Sequence, residues 1–205
     1  MEFNLQRLVR CLSIYAGRDK LLRALYAALV FYSTKQKDPE RAKIWLAYAK
    51  QLSAARLVFR QCNHPSMIIA SRDAMSEAPV ATDKVNYTLS TAVTAIYTVY
   101  GAVEAAAWLA DAKIIIADSV KLFRWCLYLW LAALICGMIR LVRVISGKPW
   151  QKSASDRISL LGLVCDFVSG ANSLPAGILW SGKLSVRQAS SLSFIASAIG
   201  FWKLY

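Results

Sequence analysis

Few side chains in this 205-residue sequence are equipped for chemistry, and none of them is grouped for it. The one histidine, His64, stands beside Pro65 and reads as a loop residue. A metal site needs several ligands at set spacing, and no cysteine or carboxylate cluster accompanies His64. Cys11, Cys62, Cys126, Cys136 and Cys165 are scattered, with no Cys-x-x-Cys pair, as expected of buried free thiols in a reducing compartment. There is no glycine-rich phosphate loop, no Gly-x-Ser-x-Gly elbow and no close pair of carboxylates. These absences point away from an enzyme, and no catalytic, cofactor-binding or metal-binding residue is assigned.

The chemistry that the residues do offer is that of a lipid surface. The chain is 57% hydrophobic, yet Lys and Arg outnumber Asp and Glu by 25 to 12, for a net charge of +13. Both properties are satisfied together when apolar helices sit in lipid and basic segments meet anionic headgroups. A nucleic-acid binder carries similar charge but has no use for the long apolar runs, so no nucleic-acid partner is expected. One stretch combines both ingredients. Asp38-Pro39-Glu40 reads as N-cap, N1 and N2 of a helix. That helix carries Ile44, Trp45, Tyr48, Leu52, Ala55 and Phe59 on one stripe, with Lys43, Lys50, Arg56 and Arg60 mostly off it. Two readings stand side by side: a small bundle with a solvated basic surface, or an interfacial helix. In the second, Ile44, Trp45, Tyr48, Leu52 and Phe59 insert into the membrane while Lys43, Lys50, Arg56 and Arg60 hold lipid headgroups.

The elements around this stretch follow from spacing. A first amphipathic helix places Leu5, Leu8, Val9, Leu12 and Tyr15 on one face and ends near Gly17. Asp19 is placed to cap a second, with Leu21, Leu22, Leu25, Ala28, Leu29 and Tyr32 as its stripe. No secretory signal is expected, because Met1 to Ala16 carries Glu2, Arg7 and Arg10; the basic amphipathic start also suits a mitochondrial presequence. Residues 1–64 hold a surplus of eight positive charges, more than half of the total. They are expected to form a basic amphipathic helical region that is cytosolic or interfacial. Residues 65–84 form a linker, with Arg72, Asp73, Glu77, Pro79, Asp83 and Lys84 clustered at 71–84. Residues 85–205 form a helical membrane region.

In that region Val85 to Val103 lacks charge and sets an apolar face against Thr88, Thr91, Thr94 and Thr98. Such a polar side suits packing in a bundle or the lining of a pore. Trp125 to Ile139 is too short for a bilayer core of about 30 Å. It becomes long enough at 125–145 if Arg140 and Arg143 snorkel. Further candidate spans are 158–180, interrupted by Asp166 and Pro175, and 189–202. In the last, Ala189, Ser193 and Ser197, and likewise Ala196 and Gly200, recur four apart, as in close helix packing. The expected fold is all-α: a multi-helix integral membrane protein with an N-terminal amphipathic helical region.

Four stretches resemble one family, in that family's order and across nearly the whole chain. Ser13–Arg23 resembles the Gly-Arg-Asp-Lys segment of the peroxin-11 family, the peroxisomal membrane proliferation factors. Leu52–Arg60 is similar to its Leu-Ser-x-x-Arg-x-x-x-Arg helix. Ala107-Trp108-Leu109-Ala110-Asp111-Ala112 looks like the central motif of gamma-type members. Leu174-Pro175-Ala176-Gly177-Ile178-Leu179-Trp180 resembles their C-terminal motif. The loop from Ser146 to Arg157 departs from the family in being short, so features of that loop are not carried over.

The resemblance implies a peroxisomal or glycosomal membrane protein that remodels and elongates the organelle and promotes its division, by helix insertion and oligomerisation. It implies membrane lipids, especially anionic ones, a second copy, other members of the family and the dynamin-type fission machinery as partners. It implies no cofactor. The alternatives are a small-metabolite pore and a non-enzymatic adaptor that docks other peroxins.

Overall fold

The computed structural model describes residues 4–79 and 81–205. Met1–Phe3, with the Glu2 cited against a secretory signal, and Val80 in the expected linker lie outside the described residues. The described residues are helical throughout their regular structure, as the sequence leads one to expect. The helices are α1 (Leu5–Ser13), α2 (Tyr15–Ser33), α3 (Pro39–Gln61), α4 (His64–Ser76), α5 (Lys84–Asp111), α6 (Ser119–Ser146), α7 (Ala154–Ala171) and α8 (Val186–Trp202).

The chain divides into two compact units, and the divisions fall inside α3 and α7. One unit comprises the described residues through Phe59 together with Val168–Tyr205. In it α2 packs along α8, and α1 folds back on α2. The small residues of α8 serve this packing. Ser197 and Ala196 are buried and the Lys20 stem lies against Gly200, while Ser193 bonds Ser169 at the end of α7 at 2.8 Å. Gly17 is not the end of a helix, as its type suggested. It lies in the first turns of α2, where a Cβ would overlap the Cys11 carbonyl, so its role is close approach. Asp19 is likewise inside α2 and caps nothing there.

The other unit, Arg60–Phe167, is built on α5 and α6, which pack along their length, with α4 laid on α5. His64 opens α4 rather than a loop, and its ring fills the space above Gly101, where a Cβ would come within 2.7 Å of Nε2. Residues 65–76 of the stretch expected to be a linker are helical, and α4 is held on α5 where Tyr87 Oη donates to the Ala74 carbonyl and Ser71 bonds Thr98. The N-caps of α5 and α6 are Asp83 and Asp118, which accept from the Asn86 and Lys121 amides at 3.0 Å each. The run 158–180 is not one helix. It stops at Ala171, and a turn-rich segment carrying Pro175, Gly177 at φ 90° and Gly182 at φ 69° follows to α8. Proline removes a donor and glycine supplies the left-handed turns that a helix cannot use.

Candidate membrane-interaction site

Helix α3 spans 23 residues and begins as expected, with the Asp38 carboxylate accepting from the Glu40 amide at 3.0 Å. Its sequence stripe divides between two environments. Ile44, Tyr48 and Phe59 are exposed, while Trp45 and Leu52 are half-buried. Trp45 meets Tyr32 edge-on at 5.1 Å between ring centroids, a contact that holds it toward α2. Ala49 is fully buried, and successive residues lie 100° apart around a helix, so the inward face runs through Ala42, Trp45, Ala49, Arg56 and Arg60. The outward face runs through Ile44, Ala47, Tyr48, Gln51 and Val58, all exposed.

The four basic residues divide in the same way. Lys43 and Lys50 are exposed; Lys43 reaches Glu40 at 2.7 Å on the surface. Arg56 is turned inward and forks onto both carboxylate oxygens of Asp19, at 2.9 and 3.3 Å, with both side chains largely buried. Arg60 lies 3.1 Å from the Glu104 carboxylate and donates to Tyr100 Oη at 2.8 Å, and Tyr100 in turn donates to Glu104 at 2.6 Å. Glu104 is buried in α5. The structure thus brings Lys43 and Lys50 to the surface beside Ile44 and Tyr48, and it engages Arg56 and Arg60 inside the protein. The residues that sequence reasoning missed are Asp19, Tyr100 and Glu104. A signal existed for Glu104, the single charge between Val85 and Ala110. A carboxylate in an apolar helix is held there only if a partner meets it.

The apolar helices have their own geometry. Among the described residues, α5 and α6 are long and apolar enough to cross a bilayer, at 28 residues each. Only 17% and 22% of their most apolar stretches are buried inside the protein. The core helix of a water-soluble protein would be mostly covered, whereas these present Val85, Val99, Trp125, Ile135, Ile139 and Val142 outward. The expected span 125–145 lies inside α6. Helix α5 was read for its threonine face, and its length makes it a span candidate as well. Part of that face is used in packing, since Thr98 bonds Ser71 at 2.7 Å across to α4 and Thr94 bonds its own helix.

Crossing-length apolar helices with outward surface, in an all-helical chain that also carries a basic amphipathic helix, fit a helical integral membrane protein. The chain belongs to the Peroxisomal biogenesis factor 11 family, which it matches over residues 5–157. It is similar to the human protein "Peroxisomal membrane protein 11C", at 24% identity over 98% of this chain and 94% of that one. No solved structure matches it. As a member of the family it is a protein of the peroxisomal membrane with a part in peroxisome biogenesis and proliferation.

Proposed function

We propose that this protein elongates the peroxisomal membrane by seating the outward face of α3 in the cytosolic leaflet while α5 and α6 anchor it. The observation that carries the reading is the exposed pairing of Ile44 and Tyr48 with Lys43 and Lys50 on one helix. Apolar side chains in one leaflet widen it and favour curvature, and each nearby lysine adds about 1 kcal/mol of attraction to an anionic surface. Residues 1–64 then act at the interface, 65–84 lead on through α4, which is held on α5, and 85–205 form the membrane region. Insertion proceeds from Ile44, Tyr48 and Phe59, which already face outward, and extends to Trp45 and Leu52 when Trp45 leaves Tyr32. Arg56 and Arg60 reach headgroups only where their pairs with Asp19 and Glu104 open. Copies of the chain concentrate the effect, and the fission machinery acts on the elongated membrane; neither step requires a cofactor or a catalytic residue. A pore is less favoured, because Thr98 is taken up by α4.

The test is organelle morphology. With Ile44, Tyr48 and Phe59 changed together to Ser, the protein should still reach and remain in its membrane, and elongation should be lost. Normal elongation at normal abundance rejects the wedge.

A further inference from the structure

The turn that joins α5 to α6 is an apolar tip. Ile114, Ile115 and Ile116 follow one another there, all exposed, with Ile116 fully so. The tip is an ordered shape. Lys113 turns the chain with φ 60°, and the Ile114 and Ile115 amides both donate to the Leu109 carbonyl, at 2.9 and 3.4 Å. That closure spends the end of α5 on holding three isoleucines outward. Along the chain they are flanked by the exposed Asp111, Lys113, Asp118, Lys121 and Arg124, with Lys121 paired to Asp118 at 3.6 Å, and Trp125 is exposed a turn further on.

A helix needs about 20 residues to cross the hydrocarbon core, and α6 offers two registers for them. With the core on residues 125–145, Arg140 and Arg143 must snorkel. With the core on residues 120–139, Lys121 and Arg124 must snorkel instead, one turn from the opposite boundary. The count of charges is equal, so the rest of the hairpin decides. In the first register the three isoleucines stand in water beyond the headgroups. In the second they come four to six residues past the core boundary, about 6–9 Å at a helix's rise, which brings them to the outer edge of the interfacial layer of roughly 5–7 Å on that side. A layer of headgroups above acyl chains takes apolar tips below and charged side chains above, and the turn offers three isoleucines with flanking charges of which three are basic and two acidic.

We propose that Ile114–Ile116 form a lipid-seated tip that docks the α5–α6 hairpin in the interfacial layer of the far leaflet and fixes its register at residues 120–139. The occupant of this surface is the lipid bilayer. The proposal rests on α5 and α6 spanning the membrane, and the experiment separates the two claims.

The full chain, with its native cysteines replaced by alanine and its helicity verified, carries a nitroxide in turn at Ile115→Cys, Ile116→Cys and Ile135→Cys in vesicles. Collisions with oxygen, which concentrates in lipid, are compared with those of a water-soluble nickel chelate. Oxygen should dominate at both tip positions as it does at Ile135, with the tip shallower. Nickel dominance at the tip with oxygen dominance at Ile135 overturns the tip and leaves the spans standing. Nickel dominance at all three overturns both. Where the cysteine-free chain does not fold, a benzophenone amino acid replaces Ile116 in the native sequence. Crosslinking to phospholipid supports the proposal, and its absence, with crosslinking from position 135 intact, rejects it.

Discussion

Arg60 and Glu104 show what a single pair contributes here. Glu104 is buried, Arg60 lies against it, and Tyr100 completes the ring of hydrogen bonds between them. Removing one partner of such a pair leaves the other charge buried alone, at a cost of roughly 3–5 kcal/mol, whereas replacing both by apolar residues is often neutral. Arg60→Met or Glu104→Met alone should therefore lower the apparent melting temperature of the purified protein sharply. The double variant should recover most of the loss, and thermal unfolding of the four proteins measures the coupling. Additive losses would mean that the pair is incidental. Asp19 and Arg56 form the second such pair, bidentate and mostly covered. Both pairs include arginines that composition placed on the lipid side. Periodicity locates a residue on a helix face but does not say which face a second helix will cover. The partners, 37 residues away for Asp19 and 44 for Glu104, are set by the fold alone.

At the scale of the element, α3 was legible in its start, its length and its amphipathic character, because Asp38-Pro39 is a local signal. What could not be read was how the stripe divides, since half of it answers to α2 through Tyr32 and Trp45. The break at Ile14 and the early start of α2 also escaped, because Gly17 looks like a helix end until Cys11 is seen packed against it. The end of α7 at Ala171, by contrast, was written in Pro175 and Gly177. Two consequences are measurable. Ile44→Ser with Tyr48→Ser should weaken vesicle binding of the α3 region, while Trp45→Ser should act mainly by loosening the bundle. A large apolar side chain is worth roughly 1.5–3 kcal/mol when fully buried, and interfacial seating recovers part of that. The first pair should thus cost about 2 kcal/mol, close to a thirtyfold loss in a flotation assay. The second consequence concerns α5 and α6, whose N-caps are carboxylates. The Asn86 amide holds Asp83 below its ordinary value of 3.8, and the Lys121 amide does the same for Asp118. A depressed value means that the cap stabilises above the ordinary pKa and is lost as pH falls through the depressed one. Amides of the first turns of α5 and α6 should therefore lose hydrogen-exchange protection only below about pH 4, before the helix centres do. Unchanged relative protection of those turns down to pH 2 would rule the caps out.

For the whole molecule, the division of labour between anchor and wedge is the point at issue. In the proposed function, anchoring draws on α5 and α6, whose apolar surface is mostly uncovered by protein and would be satisfied by lipid. The proposed wedge would draw on the exposed lysines and apolar side chains of α3, which carry far less area. Reversing Lys43 and Lys50 to Glu replaces two attractions with two repulsions, a change of about 4 kcal/mol at an anionic surface. That equals nearly three decades in the binding of α3. It subtracts nothing from helices that hold through apolar burial. The Lys43→Glu, Lys50→Glu protein should therefore stay in the pellet after alkaline carbonate extraction, as the unmodified chain should. In vesicles of purely neutral lipid it should bend membranes no worse than the unmodified chain. In anionic vesicles it should lose tubulation, and only there. Salt supplies the control, since screening reaches about 3 Å at 1 M and should erase the difference between the two proteins. Release of either protein by carbonate would show that α5 and α6 do not anchor the chain. Equal tubulation of anionic vesicles by both proteins at low salt, with both retained in the pellet, would show that the wedge lies elsewhere than α3.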